Sequence, residues 1–514
     1  MKVTNEATHE HHQEAPNKFL FYACFVSIVT TSFAFVLRAL TQQQWGKEFN
    51  FSQTEVGEIL GVGLWPFAIS IVLFSLIIDK VGYKTSMIFA LVCHITSTVL
   101  TFFADGYTTL YIATFIMALG NGTVEAVTNP AVATMFPKEK TKWLNFLHAG
   151  WPTGLVLGGI IALLMGPEVG WRFKILLVLL PAITYGILLL PHKFPVHERV
   201  KAGVSYKEML KEVGAIGALI ITALIVFQLG QVFAWSTTTN VIITLAVVVV
   251  YGLYVRSLGQ PLFILLLLVM VPLAITELGT DSWITDLISP EMAKMNLEGG
   301  WVLIYTSAIM AILRLSAGKI IHRISPLGLL AVCSAIAVVG LYMLSASAGA
   351  MILIAATIYG VGKSFFWPTM LGVVAERFPK GGALTLNITG GVGMIGAGVL
   401  GTVILGFFQD TTTDKNILAY DQQNNTALHS KYVTVEKRSL FGDYRAVDAE
   451  KASSASPDES KAITAIQEDS KKDALKKVAW FPVTMFIIYV ILILYFKSRG
   501  GYKAVSLEKH QQLS

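Results

Sequence analysis

The chain has 514 residues, of which 54% are hydrophobic and only 14% charged. A soluble domain carries about 25% charge, so a water-soluble fold of this size is excluded, and the long apolar blocks point to lipid as the solvent. The net charge of +6 is not gathered into a basic patch with interleaved aromatics, which argues against nucleic acid as a partner.

In chain order, residues 1–17 form a polar tail without a cleavable signal pattern. His9, His11 and His12 in that tail read as solvated side chains rather than a metal site. A spanning helix needs roughly 20 mostly apolar residues, because hydrocarbon offers no partners to backbone polar groups. Fourteen such segments are predicted, the first six near 18–41, 54–78, 84–104, 108–135, 142–165 and 171–190. A basic linker over 191–212 comes next, then two helices near 213–233 and 238–256. Six more are predicted near 260–281, 299–321, 326–346, 350–377, 382–408 and 479–497, before a polar tail over 498–514. Within this last group, 409–477 is a polar loop of mixed charge whose second half is expected to be helical. Cys24, Cys93 and Cys333 fall inside apolar segments and read as small buried hydrophobes.

Lysine and arginine concentrate in alternate short loops, at Lys80 and Lys84, at Lys138 to Lys142, and through the 191–212 linker. The positive-inside rule turns those loops toward the cytoplasm. Both termini are then cytoplasmic, 409–477 is extracytoplasmic, and the expected location is a bacterial inner membrane.

The chain also repeats itself. Gly120-Asn121-Gly122, Phe136-Pro137, Leu144-Asn145, Gly154 and Gly159 recur about 242 residues later. The later set is Gly362-Lys363-Ser364, Phe378-Pro379, Leu386-Asn387, Gly396 and Gly401. The loop from Ser75 to Lys84 is echoed by Arg314 to Arg323. The chain therefore reads as two halves, 18–190 and 257–497, with 213–256 inserted between them.

The loop Asp79-Lys80-Val81-Gly82-Tyr83-Lys84 resembles the signature of the major facilitator superfamily. Glu125 shortly before Asn129-Pro130, then Leu144-Asn145, and Phe366-Trp367-Pro368-Thr369 are similar to the fucose–proton symporter branch. The resemblance covers twelve core helices. It implies an all-α membrane protein with two six-helix halves in pseudo-twofold relation, here with two inserted helices for fourteen in all. The branch has an aspartate in its first helix, whereas the nearest charged position here is Arg38.

Ionisable groups inside spans cost several kcal/mol unless paired or hydrated, which marks them as functional candidates. Glu125 is expected to carry a coupling proton, with Arg38 pairing with it and tuning it. Glu277, Lys363, Asn121, Asn129, Asn145, His148 and Asn387 are candidate solute contacts, with Trp151 and Trp367 as aromatic platforms. Asp79, Lys80, Gly82 and Lys84, with Arg314, Gly318 and Arg323 in the echo, are expected to latch one access state. The expected activity is proton-coupled uptake of a monosaccharide or sugar derivative by alternating access, with H+ favoured over Na+. A sugar acid or other organic anion held by Arg38 and Lys363 is the rival, and drug export a third reading. No nucleophile elbow, phosphate loop or zinc spacing is present in the sequence, so neither an enzyme nor a cofactor or metal is expected. The expected assembly is a monomer surrounded by membrane lipid.

Overall fold

The computed structural model describes residues 17–51, 53–166, 168–280, 300–347, 349, 351–439 and 442–507. The histidine cluster of the N-terminal tail lies outside the described residues, as does the stretch 281–299. Twelve helical stretches among the described residues are long and apolar enough to cross a membrane. They form a mostly helical bundle.

The first part of the bundle contains α1 (Lys18–Glu48), α2 (Gln53–Gly61), α3 (Trp65–Val81), α4 (Tyr83–Phe102) and α5 (Tyr107–Met135). α6 (Lys140–His148) and α7 (Gly150–Leu164) make one span, as do α8 (Trp171–Ile175) and α9 (Leu179–Leu189). A short helix α10 (Glu198–Lys201) lies in the linker, followed by α11 (Tyr206–Val232) and α12 (Thr237–Val255). The last part contains α13 (Pro261–Ala274), α14 (Gly300–Leu315), α15 (Ala317–Ile321) and α16 (Pro326–Ala346). α17 (Met351–Lys363) and α18 (Phe366–Arg377) share a span and are followed by α19 (Gly382–Ile395) and α20 (Thr402–Asn424).

Two of the fourteen predicted spans, 299–321 and 382–408, are not among the twelve. In the first, α14 has only 16 residues before the helix is interrupted at Ser316. In the second, α19 is 14 residues long and passes through a π-helical turn, Gly396–Gly401, into the polar α20.

The predicted loop 409–477 is largely ordered structure. α20 runs through position 408 to Asn424, so the predicted boundary falls inside a helix. Beyond it come α21 (Leu428–Tyr432), a hairpin of β1 (Val435–Ser439) and β2 (Gly442–Ala446), and α22 (Ala449–Ser453). α23 (Pro457–Val478) realises the helix expected in the second half, and it leads through Ala479 alone into α24 (Trp480–Lys497). Ile417, Leu428, Tyr432, Val433 and Ile463 form a separate small core here.

Two inter-element contacts position the interior. α19 lies along α3, where Gly391 permits close approach: a Cβ there would stand 2.8 Å from Val72 Cγ2. α14 lies along α7. The central pair α11–α12 is tied down by main chain. Gly214 interrupts α11 with φ +62° and ψ −176°, freeing peptide groups that pair with the 257–260 segment. Ala215 N donates to Ser257 O (2.8 Å), Ile216 N to Leu258 O (3.2 Å) and Gln260 N to Glu212 O (3.0 Å). A Cβ on Gly214 would come within 2.0 Å of Gly259 N, so both crossing residues must be glycine.

Candidate functional site

A helical carbonyl at position i accepts from the N–H of i+4, and proline has none to give. Among the prolines inside the bundle, three leave a carbonyl without its i+4 helical partner to which a distant side chain supplies the donor. Pro130 frees Ala126 O, which accepts from Asn387 Nδ2 at 3.0 Å. Pro152 frees His148 O, which accepts from Arg314 Nη1 at 3.0 Å. Pro368 frees Ser364 O, which accepts from Arg314 Nε at 2.6 Å.

Arg314 therefore bridges two broken helices. It also forms an ion pair, Nη2 to Glu277 Oε1 at 2.6 Å, with both side chains under 5% exposed. Glu277 Oε2 accepts from the Trp367 N–H at 2.9 Å, an unpaired donor in the first turn of α18. The sequence reading put Arg314 in a latch loop at the membrane face. The structure instead buries it against Glu277, because the breaks at His148 and Ser364 offer it two more acceptors.

Glu125 lies beside this centre. Its Oε2 accepts from Asn129 Nδ2 at 2.7 Å, and His148 Nε2 is 2.9 Å from Asn129 Oδ1. Because that oxygen only accepts, His148 carries its hydrogen on Nε2 in this arrangement. Glu125, Asn129 and His148 are all buried. Asn145 Nδ2 donates to Thr141 O (2.9 Å) and Thr369 Oγ1 (3.2 Å). Asn145 and Asn387 match in the repeat, and each keeps its Oδ1 buried with no hydrogen-bond partner among the described residues.

Other predicted residues fall elsewhere. Arg38 does not pair with Glu125. Its Nε donates to Ala34 O at 3.1 Å, and its Nη1 is buried with no hydrogen-bond partner among the described residues. Asn121 turns into the core of the first part of the bundle, with Oδ1 3.0 Å from His94 Nε2, whose Nδ1 is 3.1 Å from Tyr185 OH. Lys363 is buried and sits over the Tyr359 ring at 5.7 Å, within electrostatic reach of Glu277. The Trp367 ring wedges against Gly393, where a Cβ would meet it at 2.7 Å, so it is packing rather than an open platform. Trp151 is half-buried and tilts against Phe35. Sequence reasoning missed His94, Tyr185 and the acceptor role of Ser364. The i+4 prolines were the available signal for Ser364.

The end of the bundle that carries Asn17 and Lys497 is closed. Asp79 pairs with Arg199 of α10, a residue the sequence reading did not single out, rather than with Lys80 or Lys84. Lys80 and Arg323 are exposed, and Lys84 Nζ donates to Leu190 O at 2.5 Å. Gly82 takes φ +86° in the turn, and Gly318 faces Lys142 of α6. Lys140 pairs with Glu198 and donates to Ala375 O at 3.2 Å. Thr141 Oγ1 donates to Glu376 Oε1 at 2.5 Å, and Tyr502 OH to Glu376 Oε2 at 2.9 Å. Burial, then the charges of Lys140 and Arg199, push the His197 imidazole down to about 3, so it is neutral here. Toward the other end lies a cavity of about 510 Å³, lined among others by Glu58, Trp65, Tyr111, Gln228, Gln231 and Met394.

This architecture has known counterparts. The fold resembles the Escherichia coli fucose:proton symporter FucP, with TM-score 0.57 and 15% identity over 91% of this chain and 98% of that one. It also resembles the proton:xylose symporter XylE, with TM-score 0.60 and 13% identity over 93% of this chain and 95% of that one. In sequence, the chain is 25% identical over 185 residues to the gentisate transporter of Corynebacterium glutamicum, 35% of this chain and 41% of that protein. The chain thus spans less than half the length of the curated relatives it matches. The Major Facilitator Superfamily model matches residues 20–397. The chain belongs to the Major Facilitator Superfamily, and it is a multi-pass membrane transporter rather than an enzyme.

Proposed function

We propose that this transporter moves a small organic anion by proton-coupled symport through alternating access. The observation that carries the reading is Arg38. A guanidinium inside a span, with a buried Nη1 that has no hydrogen-bond partner among the described residues, offers a charged donor to a carboxylate. The similarity to a gentisate transporter supports the same class of solute. Glu125 is the proton carrier in this reading, since its only hydrogen bond among the described residues comes from a neutral amide. H+ is favoured over Na+, and the unit is a monomer. The closed end faces the cytoplasm of a bacterial inner membrane, with both termini there. Fourteen spans, in two related halves flanking α11–α12, complete the proposed architecture.

A neutral sugar is the second reading. It is favoured by the unpartnered Asn145 Oδ1 and Asn387 Oδ1, which would accept from hydroxyl groups. A thermal-shift panel on purified protein separates the two, because a ligand of the folded state raises its melting temperature. Stabilisation by aromatic and aliphatic carboxylates that vanishes in Arg38→Gln supports the anion. Stabilisation by hexoses alone, unchanged in Arg38→Gln, selects the sugar.

A further inference from the structure

Two of the hydrogen bonds that Arg314 makes go to carbonyls that exist as free acceptors because of prolines. His148 O, freed by Pro152, belongs to the α6–α7 span. Ser364 O, freed by Pro368, belongs to the α17–α18 span, and Glu277 to the π-helical turn Ile275–Gly279 that follows α13. Three of the four groups, Arg314 itself, Ser364 and Glu277, lie in 257–497. His148 alone lies in 18–190. The guanidinium is thus anchored on one side by a short bond and an ion pair, and reaches across to the other side by its longest bond, 3.0 Å.

Resting on the transport reading, we propose that Arg314 is a positioning residue of the cycle, holding the closed end shut by capping the proline-freed carbonyl of His148. Opening that end parts the two sides. Arg314 keeps Glu277 and Ser364, and His148 O passes to water. While the end is closed and dry, the same carbonyl has no other donor within its helix, so loss of the guanidinium leaves a buried orphan. The closed state is then penalised and the open state is not, which shifts the equilibrium between them. His148 also holds Asn129 against Glu125, so the same bond ties the state of the gate to the geometry of the carboxylate.

The test uses the full-length protein in proteoliposomes. Ala133→Cys reports on opening, since Ala133 is buried in the closed end beside Lys140, Ala375 and Leu386, while the native cysteines are buried. Maleimide labelling at this site is expected to rise by at least roughly tenfold in Arg314→Lys, the size of effect that one charge-assisted bond to a buried carbonyl exerts on a two-state equilibrium. Pro152→Ala restores an N–H to His148 O, so adding it to Arg314→Lys is expected to return labelling most of the way to the parent rate. If Pro152→Ala leaves the Arg314→Lys effect undiminished, Arg314 acts through Glu277 or packing alone and the proposal is overturned. Should Arg314→Lys give no folded protein, Pro152→Ala is expected to recover part of its yield and melting temperature, and no recovery counts against the proposal. A failure of every solute to be transported would defeat the functional reading while leaving this labelling cycle intact.

Discussion

Asn387 Nδ2 lies 3.0 Å from the carbonyl of Ala126, filling from the far side of the bundle the place that Pro130 leaves empty in α5. Removing the donor by Asn387→Ala is expected to cost about 1–3 kcal/mol, the range for a buried polar group left without a partner. Asn387→Asp is expected to be no better, because an ionised carboxylate cannot donate. Thermal melts of the purified variants check this, and an unchanged melting temperature in both would show that Ala126 O finds another donor.

Glu125→Gln keeps the shape of the side chain and removes its proton exchange. Uptake driven by a pH gradient is expected to fall to background, while solute counterflow, which needs no net proton movement, continues. Proteoliposomes loaded with solute measure both. Intact gradient-driven accumulation would remove Glu125 as the carrier.

Arg38→Gln is expected to raise the KM for a carboxylate solute at least roughly tenfold, since it removes a charge-assisted contact. Arg38→Lys should lie between, keeping the charge but losing the planar fork. Equal KM values in all three proteins would place the carboxylate elsewhere.

At the end of α1, Glu48 accepts from Trp171 Nε1 and from Arg172 Nη1, each at 2.6 Å. The Trp171 bond, opposed by partial burial and helped by Arg172, holds this carboxyl below its ordinary value of 4.5. A carboxyl with a depressed folded-state pKa contributes stability above its ordinary value and loses it as pH falls through the folded one. The contribution is on the order of 1 kcal/mol after allowing for solvent screening of the half-exposed ion pair. The melting-temperature gap between the parent and Glu48→Gln is therefore expected at pH 7 and should close on acidification below about 4.5. A gap that persists unchanged to pH 3 contradicts this role.

The sequence made the membrane bundle legible because hydrocarbon imposes a length and a composition on each span. It was weaker where helices break. The 382–408 span looked continuous by composition, yet a π-helical turn divides it at Gly396–Gly401. The polar stretch after 408 read as loop because polarity says nothing about whether a segment is helical, and α20 continues to Asn424. At the site, Glu125, Asn129, His148 and Glu277 stood out as polar groups in apolar helices, and the structure gathers them around Arg314. Arg314 was misplaced because an arginine near a helix end normally reaches toward water. The ion pair with Glu277 and the two carbonyls freed by prolines far away in sequence explain why it stays inside. Arg38 bonds to Ala34 O and Asn121 to His94 for a related reason: residue type reveals the need for a partner, not which partner meets it.

The backbone-to-backbone crossing at Gly214 and Gly259 bears on how the central helix pair is inherited. Its anchorage rests on three main-chain hydrogen bonds, with Ser257 and Gln260 adding side-chain bonds to Lys211 O and Glu212, so the exposed surface of α11 and α12 can diverge without loosening the joint. Two codons guard this crossing, and a methyl group at either would push the two main chains apart.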